Sequence, residues 1–351
     1  MILKIQENIS LAPLTTLEVG GPARYFVTAQ SEEELVEAFA FARSQNLPVF
    51  VLGGGSNIVV SDKGFDGLVV QIALTGISID GEIVTAAAGE NWDALVERCI
   101  SEDLAGFECL SGIPGTVGAT PVQNVGAYGQ EVSETIVSVR CYDRAIDLFV
   151  VLSNADCRFG YRTSAFNTNE RDRYVVLSVT YELTHGGKPT IAYKDLLDYF
   201  DGGHPSPCEV RKAVLTIRRS KSMVIYAGDE NRRSAGSFFK NPVVEMGKLE
   251  QIAGETNKPV PHFQAPNGLV KIPAAWLIEH AGFHKGFTMG SVGISTNHTL
   301  AIVNRGGATA CEVVELKIRI QAAVFEKFGI TLVPEPIFIG QFEAKNDFKP
   351  V

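Results

Sequence analysis

The sequence predicts a protein of mixed helix and strand folded as two or three domains, and three observations predict it. A chain of 351 residues is long enough for two or three cores at about 150 residues per domain. Short apolar extended runs alternate with capped helices through the first two thirds, beginning with a strand–helix–strand unit. A polar, turn-rich stretch over 223–233 then separates these runs from a last third richer in helix.

In chain order, Ala23–Ala29 reads as extended. Ser31 and Glu34 form a capping box ahead of the apolar positions Leu35, Phe39 and Phe41, and Asn46 and Pro48 end that helix. Val49–Leu52 is a short buried strand parallel to the first, running into Gly53-Gly54-Gly55-Ser56-Asn57 at its carboxyl end. Strands follow at Gly67–Ile72 and Ile83–Ala88, then a helix around Trp92–Glu102 capped by Asn91. Leu110–Gly129, with five glycines and two prolines, is too punctuated for regular structure and too apolar for a linker. Strands resume at Ile136–Tyr142, Leu148–Leu152 and Tyr174–Leu183, with a helix at Pro207–Arg219. Past the break come helices near Val244–Ala253, Ala274–Ala281 and Ala310–Phe328, a strand at Leu300–Val303, and an extended Leu332–Ile339. The final helix carries a broad apolar stripe (Val313, Val314, Leu316, Ile318, Ile320, Ala323, Val324) and stops at Gly329.

Composition excludes several classes of function. Hydrophobic residues at 45% and charged residues at 20% rule out wholesale disorder. Lys+Arg 31 against Asp+Glu 40, a net charge of −9, speaks against a broad basic face, so no nucleic-acid partner is expected, although a small phosphate pocket fits. The first twenty residues have no apolar signal core and no stretch of about 18 apolar residues occurs, so a cytoplasmic protein with no membrane partner is expected. Cysteines 99, 109, 141, 157, 208 and 311 form no C-x-x-C pair, so free thiols are expected in place of zinc or disulfides.

Five segments could carry chemistry. The loop Gly53–Asn57 is either a plain turn or a nest of N–H groups for a pyrophosphate. It fails G-x-G-x-x-G, because Ile58 holds the last glycine position, and it lacks the Gly-Lys-Ser/Thr of a phosphate loop. Ile113–Gly129 combines Gln123, Asn124 and Tyr128 with an apolar frame, which suits either a core cover or a backbone laid along a flat ring. Arg162 in Gly160-Tyr161-Arg162 reads as a surface group or a carboxylate clamp. Ser237 in SAGSFFKNP is no acyl-transfer elbow, since Phe239, followed by Lys240 and Asn241, stands where the second glycine is required; a proton-donating serine needs no elbow. Pro334-Glu335-Pro336 holds one carboxylate on a stiff backbone.

The ordered set GGGSNIVV, IPGTVGATPVQNVGAYG, GYRTSAF, GSFFKNP and PEPIFIG resembles the UDP-N-acetylenolpyruvoylglucosamine reductase family, first subtype, from about Leu14 to Gly340. These are the flavoproteins that make UDP-N-acetylmuramate for peptidoglycan. The resemblance implies an α+β fold: a two-subdomain FAD-binding region of the vanillyl-alcohol oxidase/PCMH type, then an α+β substrate-binding domain. The subdomains are expected at 1–75 and 76–225, with an insertion near 184–222, the substrate domain at 226–340 and a polar tail at 341–351. FAD, held non-covalently, is implied on Gly53, Gly54, Gly55, Ser56 and Asn57 through its pyrophosphate. Its ring is implied along Ile113, Pro114, Gly115, Gly118, Gln123, Asn124, Gly126, Ala127 and Tyr128.

By the same resemblance NADPH reduces FAD, and the enolpyruvyl sugar nucleotide then accepts a hydride. Ser237 is implied as proton donor, with Arg162 and Glu335 polarising the carboxylate and stabilising the enol. Tyr193, Asn241, Lys221 and His298 are implied in substrate binding, and no metal is expected. His298 stands where the family can have glutamine, and Met223–Arg233 is longer than the family pattern. The enzyme is expected to be monomeric. The competing readings are an FAD-dependent oxidase or dehydrogenase of the same superfamily, and a flavin-binding module without turnover.

Overall fold

The computed structural model describes residues 3–256 and 259–342, so most of the expected polar tail, 343–351, lies outside the described residues. The chain divides into two compact units. The first comprises 1–9, 24–55 and 66–224; the second comprises 10–23, 56–65 and 225–351. The stretch expected as one subdomain at 1–75 is thus shared between the units, and 66–75 and 76–224 belong to one unit.

In the first unit a four-stranded sheet runs in the order Gln6–Ser10, Pro22–Ala29, Phe65–Ile72, Val49–Leu52. Val49–Leu52 pairs parallel with Leu68–Gln71. The side-chain contacts Arg24–Asp66 and Thr28–Gln71 rise together along the other pair, as parallel strands require. The second sheet is antiparallel throughout, in the order Leu148–Ser153, Ile136–Asp143, Tyr174–Glu182, Ile83–Ala87, Ile77–Asp80.

Helices Glu32–Ser44 and Trp92–Ser101 begin where the sequence places their caps: Ser31 Oγ accepts from Glu34 N at 3.2 Å and Asn91 Oδ1 from Ala94 N at 3.0 Å. The expected capping box at Ser31 is only half made, because the Glu34 carboxylate takes the N–H of Gln30 instead. One apolar cluster joins Leu35 and Phe39 of the first helix, Leu68 and Val70 of the first sheet, Val139 and Val179 of the second, and Trp92.

That cluster also anchors the glycine-rich segment. Trp92 and Phe107 meet edge to face at 4.9 Å between centroids, as do Phe107 and Tyr181. Trp92 Nε1 donates to Leu110 O at 3.1 Å, and the Tyr181 hydroxyl bonds Thr120 Oγ1 at 3.1 Å. Each buried ring contributes about 1.5–3 kcal/mol, so the run from 107 to 120 stays ordered although its regular structure is limited to the short 3-10 turns Glu108–Leu110 and Val117–Ala119. Helix Pro207–Ser220 adds a second brace: its Arg211 bonds Asp93 at 2.6 and 3.1 Å, and Asp93 also accepts from Gly112 N at 2.6 Å. Burial by itself would raise the Asp93 pKa, but these bonds outweigh it and hold the carboxyl below the usual range.

The second unit packs helices Met246–Thr256, Ala274–His280 and Ala310–Phe328 with two three-stranded antiparallel sheets. The first sheet orders Val243–Val244, Val270–Lys271, Phe263–Gln264, and the second Thr288–Met289, Val292–Ile294, Ile302–Asn304. The last helix stops as expected at Gly329, in the left-handed region at φ 61°, and a Thr309–Glu312 capping box sets its start.

Segments 10–23 and 56–65 join this unit for identifiable reasons. Leu17, Val19 and Val59 are buried in its core beside Phe238, Phe239 and Ile302. Ile58–Val60 pairs parallel with Ile337–Ile339. The Asp62 carboxylate accepts from Ala310 N and Cys311 N at 2.7 and 2.9 Å, at the positive end of the long helix. Cys99, Cys109, Cys141 and Cys157 are buried free thiols, whereas Cys208 and Cys311 are exposed. Among the described residues no helix is long and apolar enough to cross a membrane.

Candidate functional site

The first unit brings the two glycine-rich segments together. Gly53, Gly54 and Gly55 carry no side chains, so the polar surface of this loop is peptide N–H and C=O. A Cβ on Gly54 would lie 2.7 Å from Gly115 Cα, and one on Gly53 would lie 3.0 Å from Thr116 Oγ1. Gly55 has φ +65°. The strand end and the 113–119 run therefore form one backbone-lined cradle, which only glycine at 54 allows. Such a wall of peptide dipoles with no intervening side chain fits the pyrophosphate of FAD. Gly118 is packed as closely, its would-be Cβ 2.6 Å from Ala88 Cβ, so its absent side chain serves packing against the sheet.

Beyond this cradle the chain makes two tight hairpins that touch. Gly126–Ala127 pairs with Gln130–Glu131 around Tyr128 and Gly129, both at positive φ (52° and 85°). Gly160 and Thr163 pair around Tyr161 and Arg162, and Arg162 also has positive φ, 55°. Arg162 Nη2 donates to Gly126 O at 2.6 Å, so its guanidinium lies on the first hairpin. Two non-glycine residues held left-handed in adjoining turns are costly and mark a constrained site.

Asn124, expected at FAD, is buried and spends its side chain on the loops. Its Nδ2 donates to Glu131 Oε2 (2.7 Å) and Gly160 O (3.1 Å), and its Oδ1 accepts from Ser133 N (3.1 Å). Its side chain thus holds the two hairpins together.

Tyr193 immediately precedes helix Lys194–Phe200, and its ring meets that of Tyr128 edge to face at 5.5 Å. Burial raises both phenols, Tyr128 to about 12. Lys221 caps the end of helix Pro207–Ser220 and bonds Asp195 at 2.5 Å, a carboxylate that the sequence reading did not place there. Helix Pro207–Ser220 also carries Arg218 up to this pair. The guanidinium lies close enough to Tyr128 to influence its phenol, donates to Met223 O at 2.7 Å, and has its own pKa lowered by burial.

The second unit gathers three distant segments. The run 236–240 lies antiparallel to 333–335: Glu335 N donates to Phe238 O at 2.9 Å, Lys240 N donates to Val333 O at 2.9 Å, and Phe239 faces Pro334. Ser237 follows Gly236 (φ 69°) and precedes two fully buried phenylalanines. This register places the serine and the glutamate on neighbouring runs. Phe238 N donates to Leu300 O at 2.7 Å, joining the serine run to the loop that holds His298. That loop is braced by Ser295 Oγ, which accepts from Asn297 N and His298 N. Asn241 Oδ1 accepts from Ala274 N at 2.8 Å, so its carbonyl end serves the start of helix Ala274–His280.

Residues 23–145 match the FAD-binding domain family, and residues 229–339 match the C-terminal domain of UDP-N-acetylenolpyruvoylglucosamine reductase. The UDP-N-acetylenolpyruvoylglucosamine reductase of Thermobifida fusca (strain YX) is 48% identical over 356 aligned positions, covering 97% of this chain and 99% of that protein. The chain belongs to the UDP-N-acetylenolpyruvoylglucosamine reductase family. The family's enzyme from Streptomyces coelicolor is 46% identical, with 94% of this chain and 89% of the relative covered. The crystal structure of the Thermus caldophilus reductase superposes with a TM-score of 0.68 at 26% identity, covering 97% of this chain and all of that one. Membership in this family makes the chain an FAD-dependent oxidoreductase with the α+β architecture described above.

Against the family pattern, three arrangements were hidden from the sequence: the contact of Gly54 with Gly115, the pairing of Lys221 with Asp195, and the place of Ser56 and Asn57. Both of the last two belong to the second unit, where Asn57 Nδ2 donates to Glu335 O at 3.2 Å. The motif GGGSN carried the only signal for that residue, and it pointed to the cofactor.

Proposed function

We propose that this reductase converts UDP-N-acetylglucosamine enolpyruvate to UDP-N-acetylmuramate at the expense of NADPH, in peptidoglycan precursor synthesis, with Ser237, Arg162 and Glu335 as its catalytic residues. Bound FAD, on the Gly53–Gly55 and Ile113–Tyr128 segments, supplies hydride chemistry between NADPH and the terminal enolpyruvyl carbon. Hydride addition to an enol ether conjugated with a carboxylate develops enolate charge. Arg162 binds and polarises that carboxylate. The Ser237 hydroxyl gives its proton to the α-carbon of that enolate, the carbon next to the one that takes the hydride, and Glu335 steadies the enol. A serine hydroxyl is a weak acid in water, so a neighbouring group must support its role. The observation that carries this reading is the paired register of 236–240 with 333–335, which sets the runs of Ser237 and Glu335 side by side. The same reading takes the enzyme as a cytoplasmic monomer.

The test is an anaerobic titration of the yellow protein. NADPH should bleach the flavin and the enolpyruvyl nucleotide should restore its colour. Recovery with oxygen alone, as fast as with the nucleotide, would favour the oxidase reading instead.

Tyr193 is assigned to the substrate's diphosphate, away from the reacting carbon. Tyr193→Phe keeps the ring packed on Tyr128 and removes only the hydroxyl. It should raise KM about tenfold, the worth of one hydrogen bond to a charged group, with a smaller change in kcat. A slowing of flavin recovery at saturating nucleotide as large as the KM change would refute the assignment.

A further inference from the structure

We infer that Asn57 is a positioning residue for Glu335, an inference that rests on the role proposed above for that glutamate. Glu335 lies between Pro334 and Pro336, and proline has no N–H. Over 334–337 the backbone therefore offers two donors, Glu335 N and Ile337 N. Phe238 O takes the first at 2.9 Å, and Asn57 O takes the second at 3.0 Å. Asn57 then returns a donor of its own, Nδ2, to Glu335 O at 3.2 Å. The peptide groups on both sides of the Glu335 side chain are thus held, one by the serine run and the other by Asn57.

The residue type fits the task. The bond requires a donor on a short, flat side chain: alanine has none, aspartate presents only acceptors when ionised, and serine is shorter by one atom. Directly after Asn57, Ile58–Val60 enters parallel pairing with Ile337–Ile339, so the asparagine closes the amino-terminal end of that ladder. Both residues belong to the second unit, and the contact bridges 278 positions of sequence. The side chain of the last residue of GGGSN is thereby assigned to the carboxylate's backbone.

The experiment follows FAD affinity, NADPH reduction of the flavin, and flavin recovery by the enolpyruvyl nucleotide in Asn57→Ala, Glu335→Gln and the double variant. With FAD saturating, Asn57→Ala should slow recovery about 10–100-fold more than it slows reduction by NADPH, as loss of alignment at a reacting group does. Because Asn57 acts through Glu335, the double variant should be no slower in recovery than Glu335→Gln alone. Additive slowing, or loss of FAD together with equal slowing of both halves, would overturn the inference. If Glu335→Gln leaves recovery unchanged, the role of the glutamate fails; if Glu335→Gln slows it and Asn57→Ala does not, only the positioning role fails. Should Asn57→Ala fold poorly, the isosteric Asn57→Asp, which lacks the donor, must show the same split between halves for the inference to stand.

Discussion

Replacing Ser237 by alanine is expected to leave bleaching of the flavin by NADPH nearly intact and to slow recovery of its colour by the enolpyruvyl nucleotide about 10²–10⁴-fold. That range is what a positioned general acid contributes. The two halves separate because the first transfers a hydride and needs no proton at a substrate carbon, whereas completing the product does. Phe238 and Phe239 behind Ser237 are fully buried, and loss of one half-buried hydroxyl leaves that packing in place. Ser237→Cys should retain more activity than the alanine variant, since a thiol also donates a proton. Stopped-flow absorbance of each half decides the matter. Equal slowing in both would reduce Ser237 to a shape-giving residue, and no slowing would remove it from the mechanism.

Gly54→Ala should give a protein that loses its yellow colour on gel filtration. The added Cβ would meet Gly115 Cα at 2.7 Å and Gly115 C at 3.1 Å, and both are backbone atoms that cannot swing aside. Separating the two segments costs about 1–3 kcal/mol of overpacking, equivalent to about 10–100-fold in FAD affinity. Gly247→Ala is the control: that glycine lies in helix Met246–Thr256 and its Cβ would meet nothing within 4 Å. It should hold FAD normally and melt slightly higher, because alanine favours the helix. Retention of FAD by Gly54→Ala at normal affinity would show that the close approach of the two segments is not what holds the cofactor.

What the sequence determined was local or carried by ordered motifs. The starts of Glu32–Ser44, Trp92–Ser101, Pro207–Ser220 and Ala310–Phe328 were set by Ser31, Asn91, Ser206 and Thr309, whose cap bonds reach only three residues ahead. The end of the last helix at Gly329 followed from the same short-range chemistry. The family, the flavin and the reaction were readable because five motifs stand in one order, which no single glycine loop could convey.

Short elements escaped for the opposite reason. Ile58–Val60, Ile77–Asp80 and Lys194–Phe200 have too few residues to show a period, and the expected strand at Leu300–Val303 forms at Ile302–Asn304, where Val292–Ile294 can pair with it. Only the tertiary structure decided that 10–23 and 56–65 fold with the last third, through Leu17, Val19 and Val59 in its core and Asp62 at its longest helix. The uses of two asparagines were decided there as well. Asn124 and Asn57 each follow or lie within a glycine-rich motif that announces a cofactor, yet their amides go to Glu131, Gly160 and Glu335. An amide side chain takes whatever donor or acceptor the fold brings within about 3 Å, and for Asn57 that partner comes from 278 positions along the chain, beyond the reach of any local rule.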